Sequence, residues 1–302
     1  MERQKTLYDV AAIGNYTKDT IITPDGTRQI DGGGVRYAAH AAAGLGYKVA
    51  AITRLAAADS HVLDALKEAG IDVYACETPE STHMCLDYPT ADVDKRILSV
   101  ASTAGSFTPV QIQEVDAKAF VVSASIRGEV SLNVIREMRA KDTTISLDAQ
   151  GFVRVAAPDG RLEHREWWEK RAVLSQVDIL KADAVEARFL TGETNIETAA
   201  RMLADLGPSE IIISHSDGLL VYAEGEFHRA PFHAGSLVGR SGRGDTCVGS
   251  YVARRLTSPP TEATVWAAAV TSLKMEQEGP FSGTIDDVVD LLEKKYGMVH
   301  CA

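Results

Sequence analysis

Apolar residues recur along this chain in short continuous runs separated by amphipathic stretches, the rhythm of buried strands alternating with helices. Residues 9–13 read as the first strand and 48–53 as the second, with helices predicted over 35–46 and 58–69 and stopped at Gly44-Leu45-Gly46 and Gly70. The rhythm returns with strands at 119–123, 143–149, 177–181 and 210–214, a helix over 130–139, a hairpin over 219–230, and closing helices over 263–275 and 285–296. In between, residues 21–30, with the turn Pro24-Asp25-Gly26, and residues 72–100 carry strand patterns without a helical period. They predict a small β layer beside the α/β body, placed to close over a substrate. The charged stretch 161–170 around Trp167 and Trp168 reads as a solvated helix packed by its tryptophans. With no repeat and no low-complexity linker, the expectation is one α/β domain over 1–302, its lid formed by about 21–31 and 72–100.

Composition narrows the function more than the fold. The 302 residues carry 31 lysines and arginines against 42 aspartates and glutamates, a formal charge of −11, which argues against nucleic acid and anionic membrane as partners. No apolar run reaches the roughly 18 residues of a membrane helix. Cys76, Cys85, Cys247 and Cys301 share no metal-binding spacing and read as free thiols of a reducing, cytoplasmic compartment.

The chemistry concentrates in residues 239–256. The first half is glycine-rich and polar, and the second places Val248, Tyr251, Val252 and Leu256 on one helix face, so a loop runs into a buried helix with Asp245 or Thr246 near its cap. A helix start offers unpaired N–H groups and the positive end of the macrodipole, and Gly242 and Gly244 leave an anion's approach open. Asp245, beside a held phosphoryl group, is suited to take the proton of an attacking hydroxyl. Other candidates lie at the carboxyl ends of strands, where α/β sheets bind ligands. Asp19 can accept bonds from hydroxyls or serve a turn. Gly32 and Gly33, before an alanine-rich helix, suit backbone approach or tight packing. Arg154 can meet an anion or pair with a carboxylate. Asp183 and Glu186, at i and i+3, can hold Mg²⁺ or start a helix. Neither a dinucleotide fingerprint nor a P-loop is present.

In these motifs the chain resembles the PfkB/ribokinase family of sugar and nucleoside kinases. Residues 239–245 stand where that family carries D-T-x-G-A-G-D, residues 183–186 where it carries N-x-x-E, and Gly32-Gly33 with the following helix match its N-terminal signature. The resemblance implies a ribokinase-like, Rossmann-type three-layer sandwich with a β-sheet lid, which often also mediates dimerisation. It implies an ATP- and Mg²⁺-dependent kinase in which Asp245 is the base and Gly242, Arg243 and Gly244 form the anion hole. Asp19, Gly32, Gly33, Tyr37 and Arg154 would meet a small polyol, Ser214, His215, Lys274 and Met275 the nucleotide, and Asp183 and Glu186 the hydrated metal. Three departures stand out. Gly239-Arg240 replaces Asp-Thr, which puts potassium activation in doubt. Arg243 replaces alanine and either neutralises the transferred phosphoryl or contributes only its N–H. Asp183 replaces asparagine. The stretches 14–19 and 148–152 look closer to the inositol-kinase-like branch, and Tyr37 stands in place of a sugar-binding asparagine, so the acceptor is expected to be a cyclitol or similar polyol. A nucleoside or sugar-phosphate acceptor is the variant, and a kinase-derived sensor without turnover is the rival. A phosphorylated acceptor would call on basic lid residues such as Lys95 and Arg96.

Overall fold

The computed structural model describes residues 6–90, 96–239 and 241–298, so Lys95, Arg240 and Cys301 lie outside the described residues. In chain order its strands are β1 (Leu7–Ile13), β2 (Thr17–Thr23), β3 (Gly26–Gly32), β4 (Val49–Ala56), β5 (Asp72–Thr78), β6 (Thr82–Asp87), β7 (Ile97–Ser102), β8 (Asp116–Val122), β9 (Thr144–Asp148), β10 (Arg154–Ala156), β11 (Leu162–His164), β12 (Ile179–Asp183), β13 (Glu210–Ser214), β14 (Gly218–Ala223) and β15 (Glu226–Pro231). Nine of them form one sheet in the order β15-β14-β13-β12-β9-β8-β1-β4-β5. It is parallel from β13 to β5, with β14 and β15 added antiparallel as a hairpin.

Side-chain alternation divides the core between the two sheet faces. Ala11, Ile13, Phe120, Val122, Ile145 and Leu147 face one way, with the Leu132–Arg139 and Ile196–Ala204 helices. Val10, Ala12, Ala51, Ala119 and Val121 face the other, with the helices Gly34–Gly44, Arg243–Arg255 and Pro260–Met275. This is a three-layer α/β sandwich. The second face is built from alanines such as Ala38, Ala39, Ala42, Ala253 and Ala267, all fully buried. Such small side chains let the Gly34–Gly44 and Arg243–Arg255 helices lie close, so their N-termini meet above the sheet.

A separate four-stranded sheet, ordered β3-β2-β6-β7, makes up the small β layer, here called the lid. Residues 72–78, expected there, instead form β5, the edge strand of the large sheet, in parallel register with β4. Their half-buried alternation is the same as that of a lid strand, so the pattern gives a strand without saying which sheet receives it. Asp19 falls within β2 and not in a loop. Residues 161–170 do not form the expected helix. Asp159 accepts a bond from the Arg161 N–H at 3.0 Å, Gly160 takes a positive φ of 83°, and the turn folds β10 against β11 as a short hairpin. Trp167 is buried against Phe152, with ring centroids 4.8 Å apart, while Trp168 is 87% exposed.

Candidate active site

The Arg243–Arg255 helix begins at Gly242, whose φ of 75° is left-handed and which offers no side-chain cap. The first N–H groups of the helix are therefore left to a ligand. Asp245, expected near the cap, is the third residue of the helix, in its first turn. Its carboxylate is buried, and Oδ1 has no hydrogen-bond partner. A Cβ on Gly34 would collide with that oxygen, so the third glycine of the Gly32-Gly33-Gly34 run gives Asp245 its space.

Beneath this turn lies a buried ion pair. Lys181 in β12 and Asp148 at the end of β9 are register partners on adjacent strands, with Nζ 2.9 Å from Oδ2. Neither side chain exceeds 4% exposure. A Cβ on Gly244 would lie 2.5 Å from Lys181 Nζ, so the ammonium stands immediately behind the helix start. Burial alone would pull Lys181 down, yet Asp148, Glu186, Asp183 and Asp245 together hold it above the ordinary lysine value. Asp245 moves upward for two reasons, burial first and the Asp148 charge second, against the opposing pull of Lys181 and Arg154. The arrangement can accept a proton at Asp245 beside a helix start open to an anion, with a cation fixed behind it.

The other expected residues surround one large cleft of about 1230 Å³ and a smaller recess beside it. Ser214, His215, Lys274, Arg154, Asp183, Gly242, Arg243, Gly244 and Asp245 line the cleft, together with Leu237 and Val238. The Arg243 guanidinium lies 5.9 Å from the Phe232 ring centroid. Tyr37 is buried with its ring against Gly242, so it braces the anion cradle as well as bordering both cavities. Met275 is buried and does not line the cleft. Its carbonyl instead accepts the N–H groups of Val238 at 2.9 Å and Gly239 at 3.0 Å. Asp19 and Gly33 border the recess under the lid, and Gly32 packs behind the Asp19 carboxylate. Burial raises Asp19 to about 6, with the Thr17 hydroxyl and Arg96 pulling the other way.

Asp183 and Glu186 form a capping box. Asp183 Oδ1 accepts the Glu186 N–H at 2.7 Å, and Glu186 Oε2 accepts the Asp183 N–H at 2.9 Å. Glu186 also stands 3.8 Å from Arg154, and burial raises its affinity for a proton. Beyond the capping box Asp183 keeps Oδ2 on the cleft side, whereas the second oxygen of Glu186, Oε1, is the one that faces Arg154. Among the described residues no group of three or more His, Cys, Asp or Glu side chains is gathered to hold a metal directly. No helix among them is long and apolar enough to cross a membrane.

Sequence reasoning missed Gly34, Asp148 and Lys181. The signal was present in the strands: a lysine in Ile-Leu-Lys-Ala-Asp and an aspartate closing Ile-Ser-Leu-Asp are charges inside apolar runs, which survive burial only when paired.

The model of the pfkB family carbohydrate kinases matches residues 6–286. A cytidine kinase of Thermococcus kodakarensis is 28% identical over 273 residues, covering 86% of this chain and 92% of that protein. A pyrophosphate-dependent kinase in the ribokinase family, solved with a pyrophosphate analog and myo-inositol, is similar at 31% identity and a TM-score of 0.84, covering 90% of this chain and 97% of the other. The structure describing conversion of a pyrophosphate-dependent myo-inositol-1 kinase into a myo-inositol-3 kinase is similar at 30% identity and a TM-score of 0.85, covering 95% and 99%.

Proposed function

Because this chain belongs to the pfkB family of carbohydrate kinases, we propose that it transfers a phosphoryl group to a hydroxyl of a cyclitol, with inorganic pyrophosphate as the donor. It is a phosphotransferase with a hydroxyl acceptor. The cyclitol and the pyrophosphate are supported by the solved relatives at 30–31% identity. The observation that carries the reaction is Asp245: a buried carboxylate with a free oxygen, raised in proton affinity, on the first turn of an uncapped helix.

The acceptor enters under the lid, where Asp19 takes hydrogen bonds from its hydroxyls. Asp245 Oδ1 receives the proton of the attacking hydroxyl. The N–H groups after Gly242 receive the transferred phosphoryl, and Lys181 behind Gly244 lowers the cost of its charge. Arg243 adds a second cation on the cleft side. Asp183, with Oδ2 beyond the capping box, would hold a hydrated magnesium ion through its waters, and Glu186, whose Oε1 faces Arg154, would fix the Asp183 backbone behind it. When bound, that ion supplies positive charge to the donor phosphates.

ATP is the second reading of the donor. The volume of the cleft favours it, as do Ser214 and His215 along one wall, which leave room for a nucleotide. A nucleoside acceptor follows the similarity to the cytidine kinase. The test is a panel pairing pyrophosphate, ATP and other nucleoside triphosphates with cyclitols, pentoses, hexoses and nucleosides. Product is followed by phosphorus NMR, with Asp245→Asn alongside. Turnover with pyrophosphate and a cyclitol that falls at least about 10²-fold in the variant supports the reading. Turnover only with ATP moves the donor, and wild-type rates in Asp245→Asn overturn the base.

A further inference from the structure

Lys274 lies in the last turn of the Pro260–Met275 helix with no exposed surface, yet it borders the cleft. Its Nζ donates to the Gly239 carbonyl at 2.6 Å and sits 5.3 Å from the Tyr37 ring centroid. Unlike Lys181, it has no carboxylate within ion-pair distance among the described residues. A buried ammonium bonded only to a neutral carbonyl and a ring face is costly. Burial accordingly lowers its pKa to about 8, with Asp245 and Glu278 the anions that pull it back.

What surrounds that ammonium is the support of the anion cradle. Gly239 leads into residues 241–245, and its N–H is held by the Met275 carbonyl at 3.0 Å, one residue from Lys274. A Cβ on Gly239 would collide with the Gln277 carbonyl and lie 3.1 Å from Lys274 Nζ, so this position is closed to any larger residue. Tyr37 touches Gly242 on one side and faces Lys274 on the other. The ammonium, the ring and the two glycines make one packed unit.

We propose that Lys274 is a positioning residue for the phosphate donor, an internal cation that fixes Gly239 from behind and lends its charge to the anion held at the helix start. This rests on the phosphoryl-transfer reading above and adds to it a cation that need not touch the donor.

The test uses the full chain and three variants. Lys274→Met keeps the length of the side chain and removes the charge. We expect it to fold with a melting temperature near that of the wild type, to raise the donor KM at least tenfold, and to leave the acceptor KM unchanged. Lys274→Ala should regain activity with methylammonium and not with an equal concentration of sodium. The groups against Nζ are the Gly239 carbonyl and the Tyr37 ring, with Asp245 and Glu278 the nearby charges, so a basic limb of donor kcat/KM near pH 8 is the expected signature of Lys274. Lys274→Arg should move that limb to higher pH. Wild-type donor kinetics in Lys274→Met, or an unmoved limb in Lys274→Arg, overturns the proposal. So does a lowered melting temperature with donor affinity retained. If the wild type turns over no donor, the phosphotransferase reading falls. Lys274 is then judged by the thermal shift given by inorganic pyrophosphate, which Asp245→Asn should keep and Lys274→Met should lose.

Discussion

The floor of the cleft and its lid treat a carboxylate in opposite ways. On the floor, Asp148 is paired with Lys181, and Asp245 is held within a charged group that strands β9 and β12 and a long helix fix in place. In the lid, Asp19 sits on β2 of a small sheet, supported by a threonine hydroxyl and a more distant arginine. Both carboxylates have an oxygen without a partner, at Asp245 Oδ1 and Asp19 Oδ1. The floor therefore holds its open oxygen in place by electrostatics and packing, whereas the open oxygen of the small sheet has fewer supports; in the proposed reaction the first is the base and the second meets the acceptor. Chemistry belongs where the frame is rigid, and selection belongs where it can move.

The largest effect should come from breaking the floor's ion pair. Lys181→Met leaves Asp148 buried without its partner, and urea unfolding should register a loss of about 3–5 kcal/mol. Adding Asp148→Asn should return part of it. A loss below about 1 kcal/mol in the single variant would mean that the floor is not held by this pair. Next comes Gly34→Ala, whose methyl meets Asp245 Oδ1 and the Ser123 side chain. Turnover at saturating substrates should fall about 10²-fold through displacement of the base, with donor affinity kept. In the lid, Asp19→Asn should raise the acceptor KM about tenfold to a hundredfold and leave the donor KM alone. A matching change in donor KM would erase the division of labour.

The smallest effect is the shape of the acid limb. Asp245 is raised and Asp19 is raised to about 6, and both must be charged to work, so kcat/KM should climb with pH well above the ordinary carboxylate range. Two protons leaving together give a limb of slope about two. Asp19→Asn should reduce it to about one, and an unchanged slope would separate the lid carboxylate from the chemistry.

Much of the floor was legible because its demands fall on glycine. Gly242 at the N-cap and Gly244 and Asp245 in the first turn of a buried helix suit an anion in residue type alone, which is what made this stretch readable. Lys181 and Asp148 were harder to find, being 33 positions apart and joined only when β9 and β12 align. The lid was legible as strands but not in its extent, since residues 72–78 have the same alternation and pair with β4 instead. The hairpin after Arg154 was hidden by the charges of residues 161–170, although Pro158-Asp159-Gly160 carries a turn signal. The D-x-x-E pattern is accounted for structurally by the capping box, with Glu186 Oε1 turned to Arg154 and Asp183 Oδ2 left over.

That hairpin also joins the lid to the body. The Val100 N–H in β7 donates to the Gly160 carbonyl at 2.9 Å, and Ser99 bridges to Arg161, while Arg154 begins β10 at the hairpin's other end with its side chain beside Glu186. One short hairpin therefore touches the small sheet at its turn and, at its open end, carries an arginine that borders both cavities.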